Sequence, residues 1–171
     1  MTEPIVLDHD ELVRRAIKWL TIQHCKAVAS EFPMHAGEEP DAFGWLGNGW
    51  SILVECKATK GDFYSDRRKK YRNPGFGVGQ ERWYMCQPGV LEAEDVEKHG
   101  WGLLYCTPKN IRKICLPPKT MTVPASKSPE RRVFDESVRK REMGALVRLI
   151  RRAQIKGFDW KWGPNLSKLP T

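Results

Sequence analysis

No stretch of the chain is apolar over anything near the roughly 20 residues that a spanning helix needs. The opening residues Met1-Thr2-Glu3-Pro4 have neither the basic region nor the apolar core of a secretory leader. Both absences argue against a membrane protein and for an intracellular one. Paired cysteines are missing too. The five cysteines, Cys25, Cys56, Cys86, Cys106 and Cys115, are odd in number and contain no CxxC, so a disulfide framework is not expected. Most lie in apolar, strand-like runs, where reduced buried thiols are the expectation. A zinc site from Cys86, His99, Cys106 and Cys115 lacks paired ligand spacing. There is no internal repeat. Acidic residues are short relative to basic ones, 21 against 29, and the resulting charge of +8 suits a polyanionic partner.

What is present fits one folded domain. A length of 171 residues allows a proper core but not two comfortable domains. A first helix is marked by Asp8 as cap, Glu11 three residues on, and the stripe Leu12, Val13, Ala16, Ile17 and Leu20. Lys26 to Phe32 reads as a strand and Pro33 to Pro40 as a loop. Asp41 to Leu46 then forms a second strand, turned by Gly47-Asn48-Gly49 into a third over Trp50 to Lys57. A short helix opens at Gly61-Asp62, and a glycine-rich loop spans Asn73 to Gly79. Strands follow at Arg82 to Cys86 and Trp101 to Cys106, with a turn of helix near Glu92 to Lys98 between them. Residues 107–129 read as a surface linker or extended segment. Residues 130–157 hold a basic terminal helix with apolar positions Val138, Leu146, Leu149, Ile150 and Ala153, and the tail beyond is expected to rest its tryptophans on the body.

The informative residues are Pro40-Asp41 and Val54-Glu55-Cys56-Lys57. Side chains alternate along a strand, so Ile52, Val54 and Cys56 share one face while Leu53, Glu55 and Lys57 share the other. An apolar, central strand that ends in a carboxylate beside an amine needs a reason, because neither charge is readily buried alone. A hairpin can bring Asp41 against Glu55. Two carboxylates, helped by the Cys56 backbone carbonyl, make a hard oxygen site suited to Mg²⁺, with Mn²⁺ as a substitute. A divalent ion there lowers the pKa of an attacking water, and Lys57 contacts water and phosphate.

This pattern resembles the PD-(D/E)xK nuclease superfamily over roughly residues 8 to 106, with Pro40-Asp41 as the PD element and Glu55-Cys56-Lys57 as ExK. The resemblance implies an α/β fold with a restriction-endonuclease-like core, a mixed β-sheet flanked by helices in the order αβββαβ. It implies catalytic residues Asp41, Glu55 and Lys57, with Glu31 as an auxiliary metal ligand. The run from Glu55 to Arg67 is also similar to MmcB-like DNA-repair proteins, with Lys60-Gly61 where Arg-Ala is more usual. The implied function is a Mg²⁺-dependent deoxyribonuclease in DNA repair, recombination or phage DNA processing, in the cytoplasm of a bacterial or phage-infected cell. RNA remains open as a substrate, and the oligomeric state is unread. The alternatives are an inactive nucleic-acid-binding module of the same fold and a basic structural or adaptor protein.

Around this centre, Lys60, Arg67, Arg68, Lys69, Lys70 and Arg72 are expected to contact phosphate, with Tyr64 and Tyr71 offering stacking surfaces. Gln80 and Arg82 leave the glycine loop and are expected to approach the site. Gly75, Gly77 and Gly79 do not make a nucleotide-binding fingerprint, because a strand rather than a helix follows. His35 and His99 are not needed as bases. Trp19, Trp45, Trp50, Trp83 and Trp101 are expected in the core.

Overall fold

The computed structural model describes residues 6–34, 37–72, 77–118 and 136–155. His35, Gly75, the linker beyond Pro118 and the tail from Phe158 lie outside the described residues. The chain runs α1 (His9–Ile22), β1 (Ala27–Ser30), β2 (Ala42–Trp45), β3 (Ser51–Cys56), α2 (Lys60–Arg67), a 3-10 turn (Lys70–Arg72), β4 (Glu81–Cys86), α3 (Ala93–Glu97), β5 (Gly102–Cys106), β6 (Ile111–Cys115) and α4 (Glu136–Ile155). The six strands form one mixed sheet in sequence order. β1, β2 and β3 are an antiparallel meander, β3 to β4 and β4 to β5 are parallel, and β6 returns antiparallel on β5. The molecule is thus α/β, with helices on both faces of a mixed sheet. No helix among the described residues is long and apolar enough to cross a membrane.

The sequence explains each layer. Asp8 caps α1 by accepting the Glu11 backbone N–H at 2.8 Å. The stripe on α1 buries Leu12, Val13, Ala16, Trp19 and Leu20 against Ile52, Val54 and Cys56 of β3 and Trp83 and Met85 of β4. The other sheet face carries Leu53, Tyr84 and Leu103 against Phe63 of α2, Val96 of α3 and Ala145 of α4. Fully burying one such large side chain contributes about 1.5–3 kcal/mol. The five tryptophans expected inside are all buried. The indoles of Trp50 and Trp83 donate to the buried Glu81 carboxylate at 3.3 and 2.8 Å, which satisfies their polar edges.

Three elements differ from the sequence reading. β1 stops at Ser30, because Glu31 takes φ +46° and turns the chain before Phe32. Part of the 107–129 stretch is strand β6, whose pattern Ile-Arg-Lys-Ile-Cys leaves only Cys115 buried and so lacks a strand's usual contrast. An edge strand with exposed Arg112 and Lys113 has little need of an apolar face. In α4, Ile150 points outward with Met143 and Val147, while Val138, Glu142 and Ala145 are buried and Leu146 and Leu149 pack partly buried against the core.

Candidate active site

β3 splits its residues between the two sheet faces, which sends Glu55 and Lys57 away from α1. Ala42 pairs with Val54 across the hairpin, so Asp41, one residue earlier, lies level with Glu55. The three residues of the motif therefore meet at the C-terminal end of β3. Asp41 Oδ2 accepts the Cys56 backbone N–H at 2.6 Å, and its Oδ1 lies 3.6 Å from His9 Nε2 at the start of α1. The Cys56 thiol is buried on the α1 face, and burial pushes it well above its usual range, so it is inert packing.

Glu55 and Lys57 are 2 % and 6 % exposed. Lys57 Nζ donates to Glu55 Oε2 at 3.2 Å and lies 3.7 Å from Asp66 Oδ1. Arg72, from the 3-10 turn, joins three carboxylates. Its Nη2 lies 2.8 Å from Glu55 Oε1, its Nε and Nη2 donate to Asp66 at 2.7 and 2.9 Å, and its Nη1 donates to Glu38 at 3.1 Å. The second Glu38 oxygen accepts the Val78 N–H at 2.8 Å. Tyr84 donates its hydroxyl to Asp66 at 3.2 Å and stacks on Trp101, with ring centroids 4.4 Å apart.

Charge regulation follows this geometry. Burial raises the Glu55 pKa; the Arg72 guanidinium opposes the rise and the neighbouring Asp41 carboxylate adds to it. Burial works against ionised Asp66 as well. There the hydrogen bonds and charge of Arg72, with Lys57 and Lys69, win and hold the pKa below the usual carboxylate range. Two carboxylates of one centre are thus driven in opposite directions, a feature common at functional sites.

A divalent cation fits this chemistry in part. The buried Glu55 Oε1 has no hydrogen bond of good geometry, only the ionic contact with Arg72, and the nearby Asp41 carboxylate makes its ionisation harder. A cation between the two would relieve both. No group of three or more His, Cys, Asp or Glu side chains gathers as a cation cage among the described residues, and this applies equally to the Cys86, His99, Cys106, Cys115 set. An ion here would rest on Asp41 and Glu55, with a carbonyl such as that of Cys56 and water completing its shell.

Two clefts flank the centre. One, of about 410 Å³, is lined by Lys57, Asp66, Lys69, His9 and Ser65. The other, of about 590 Å³, is lined by Glu31, Glu39, Asp41, Lys69 and Tyr71. Lys69 belongs to both and is half-exposed. Glu31 is therefore close to the centre, but not as a strand residue. Its side chain is exposed, and its backbone N–H is tied to the carbonyls of Pro40 and Asp41 at 3.1 and 3.3 Å.

The basic residues divide into groups. Arg68, Lys69 and Lys70 are exposed at the end of α2, and Tyr64 is exposed beside them. Lys60 pairs with Asp95 at 3.2 Å, and the Arg67 guanidinium covers the Phe63 ring at 5.4 Å. Arg72 corrects the expectation of a phosphate contact, since it is 6 % exposed and its charge is spent on Glu38, Glu55 and Asp66. Arg82 is likewise turned inward, donating to the carbonyls of Val78, Gly79 and Tyr71. Gln80 does not approach the site. Glu81 pairs with Ile52 in the parallel register, so Gln80 sits at the N-terminal end of β3 and hydrogen-bonds Gly49 O at 3.1 Å. That end, at Ser51, is about 20 Å from Lys57 at roughly 3.3 Å per residue.

Glu38 and Asp66 escaped the sequence reading. Asp66 had a signal, as a lone carboxylate three residues after the apolar Phe63 within a basic run, hence on the same helix face. Glu38 in its loop had none.

No family model matches the chain, nor does any curated protein. Among solved structures, the fold is similar to that of the SPO1766 protein of unknown function from Silicibacter pomeroyi. The TM-score is 0.61 with 17 % identity, covering 91 % of this chain and 98 % of that one.

Proposed function

We propose that this chain is a divalent-metal-dependent nuclease acting on DNA, with the restriction-endonuclease-like core of the PD-(D/E)xK superfamily. The observation that carries the reading is the convergence of Asp41, Glu55 and Lys57 at one end of a central strand, beside an open cleft. The order helix, antiparallel meander, helix, parallel strand supports it.

In this reading the ion, held by Asp41 and Glu55, supplies Lewis acidity and an activated water. Lys57 borders the cleft and brings its ammonium to the scissile phosphate, where negative charge grows in the transition state. Asp66 and Glu55 pair with the lysine, at 3.7 and 3.2 Å, and hold it aimed. Arg72 balances the carboxylates behind it, and Lys69, with Arg68 and Lys70, faces the incoming backbone. The setting is DNA repair, recombination or phage DNA processing.

Labelled duplex, single-stranded and branched DNA, with RNA counterparts, incubated with Mg²⁺ or Mn²⁺ and with EDTA, tests the reading. Cleavage of DNA that EDTA abolishes is expected; inertness on every substrate with either metal refutes it. A second reading is a binding module of the same fold without activity. It draws on the low exposure of Glu55 and Lys57 and on the ionic contact with Arg72 that already occupies Glu55. It predicts metal-independent DNA binding and no cleavage.

A further inference from the structure

A second basic surface lies away from the motif, in the groove between α1 and the β5–β6 hairpin. Its volume is about 400 Å³, and Lys18, Lys109 and Lys113 line it together with Trp19, Ile22 and Gln23, without any carboxylate. Arg15 also reaches it, but is committed elsewhere: it pairs with Glu11 at 2.6 Å and donates to Thr107 O at 3.0 Å, which clamps α1 to the hairpin. Lys18 and Lys109 are exposed and form no ion pair among the described residues. Lys113 Nζ sits 5.6 and 5.5 Å over the rings of Trp19 and Trp83 and donates to Gln23 Oε1 at 3.1 Å. The groove floor thus fixes one ammonium in place while the two others stand at its rim.

We propose that this groove is a docking site for the phosphate backbone of the DNA substrate, beyond the nucleotides that enter the centre. The inference rests on the nuclease reading. Alignment is its first support. α1 begins at His9, 3.6 Å from Asp41, and reaches Lys18 nine residues later, about 14 Å along a helix of 1.5 Å rise. That span corresponds to about four nucleotides at 3.4 Å per step of one strand. One helix therefore runs from the reactive end to the groove. Charge complementarity is the second support, since three lysines line the groove with no carboxylate among its described lining residues, and they attract a polyanion. The groove's aromatic rings are buried beneath Lys113, Trp19 at 5 % and Trp83 at 0 % exposure, and so offer bases no stacking surface. The contact is then to phosphate and sugar, which positions a strand without reading its sequence.

Fluorescence anisotropy with labelled 30-residue duplex and single-stranded DNA, in EDTA and over a salt titration, tests this. The variants are Lys18→Gln/Lys109→Gln/Lys113→Gln and the double Lys18→Gln/Lys109→Gln, which leaves Lys113 on its tryptophans and keeps the fold out of question. The slope of log affinity against log salt is expected to fall by up to about 0.9 per lysine on duplex or about 0.7 on single strands. Slopes equal to wild type in both variants overturn the groove and leave the nuclease reading untouched. A wild type that binds no DNA, but binds phosphatidylserine vesicles through these lysines, overturns both.

Discussion

At the scale of single residues, Lys57 and Glu55 were legible because strand alternation leaves no other face for them, and their burial in one ionic group follows. Arg72 was misjudged because a basic run carries no mark of which member turns inward; the carboxylates that claim it come from a loop, a strand and a helix. Lys57→Ala should lower single-turnover cleavage by on the order of 10²-fold or more. The unchanged Glu55 and Asp41 should keep metal dependence near that of wild type. Rapid-quench assays across a Mg²⁺ series check both, and a variant as fast as wild type would remove Lys57 from the chemistry.

At the scale of elements, α1 is readable from its cap and periodicity, and the meander from alternation and the Gly47-Asn48-Gly49 turn. α2 is marked only by Gly61-Asp62, one residue after its start. Thr59 and Asp62 close a reciprocal capping box at the start of α2. The segment before β4 was not readable, because its conformation depends on distant partners. Gly79 has φ +86°, and a Cβ there would stand 2.6 Å from Leu53 Cβ; its N–H donates to Glu142 at 3.0 Å. Gly79→Ala should therefore cost stability on the order of 1–3 kcal/mol. Urea unfolding measures it, and a neutral result would mean that the close approach to β3 is relaxed in solution. β6 went unseen because its exposed positions carry Arg112, Lys113 and Ile114 alike, and neither polarity nor period separates it from a linker.

At the scale of the whole molecule, two of the shifted carboxyls, Asp66 and Glu55, contribute opposing pH dependences. Asp66 is held below its unfolded value, so its stabilisation is complete above about pH 4 and is lost as pH falls further. Glu55 is held above its unfolded value, so its contribution is present at low pH and is lost as pH rises through the folded pKa. Unfolding free energy should fall by an amount of order 1–2 kcal/mol as pH is lowered from 4 to 2, where Glu55 is protonated throughout, and Asp66→Asn should flatten that limb. An acid limb unchanged in Asp66→Asn would assign it to other carboxyls. Mg²⁺ or Mn²⁺ should raise Tm more at pH 8 than at pH 5, because a cation on Glu55 replaces a proton only where the proton has left. Equal shifts at both pH values would detach metal binding from Glu55.

The central claim is that Asp41, Glu55 and Lys57 form a working metal-dependent cleavage centre, and nicking of supercoiled plasmid by wild type and Glu55→Gln, purified side by side, tests it most directly. The account predicts Mn²⁺- or Mg²⁺-dependent nicking by wild type, abolished by EDTA and reduced on the order of 10²-fold or more in Glu55→Gln. Nicking of equal rate in both proteins, or none in either while both bind DNA, would contradict it.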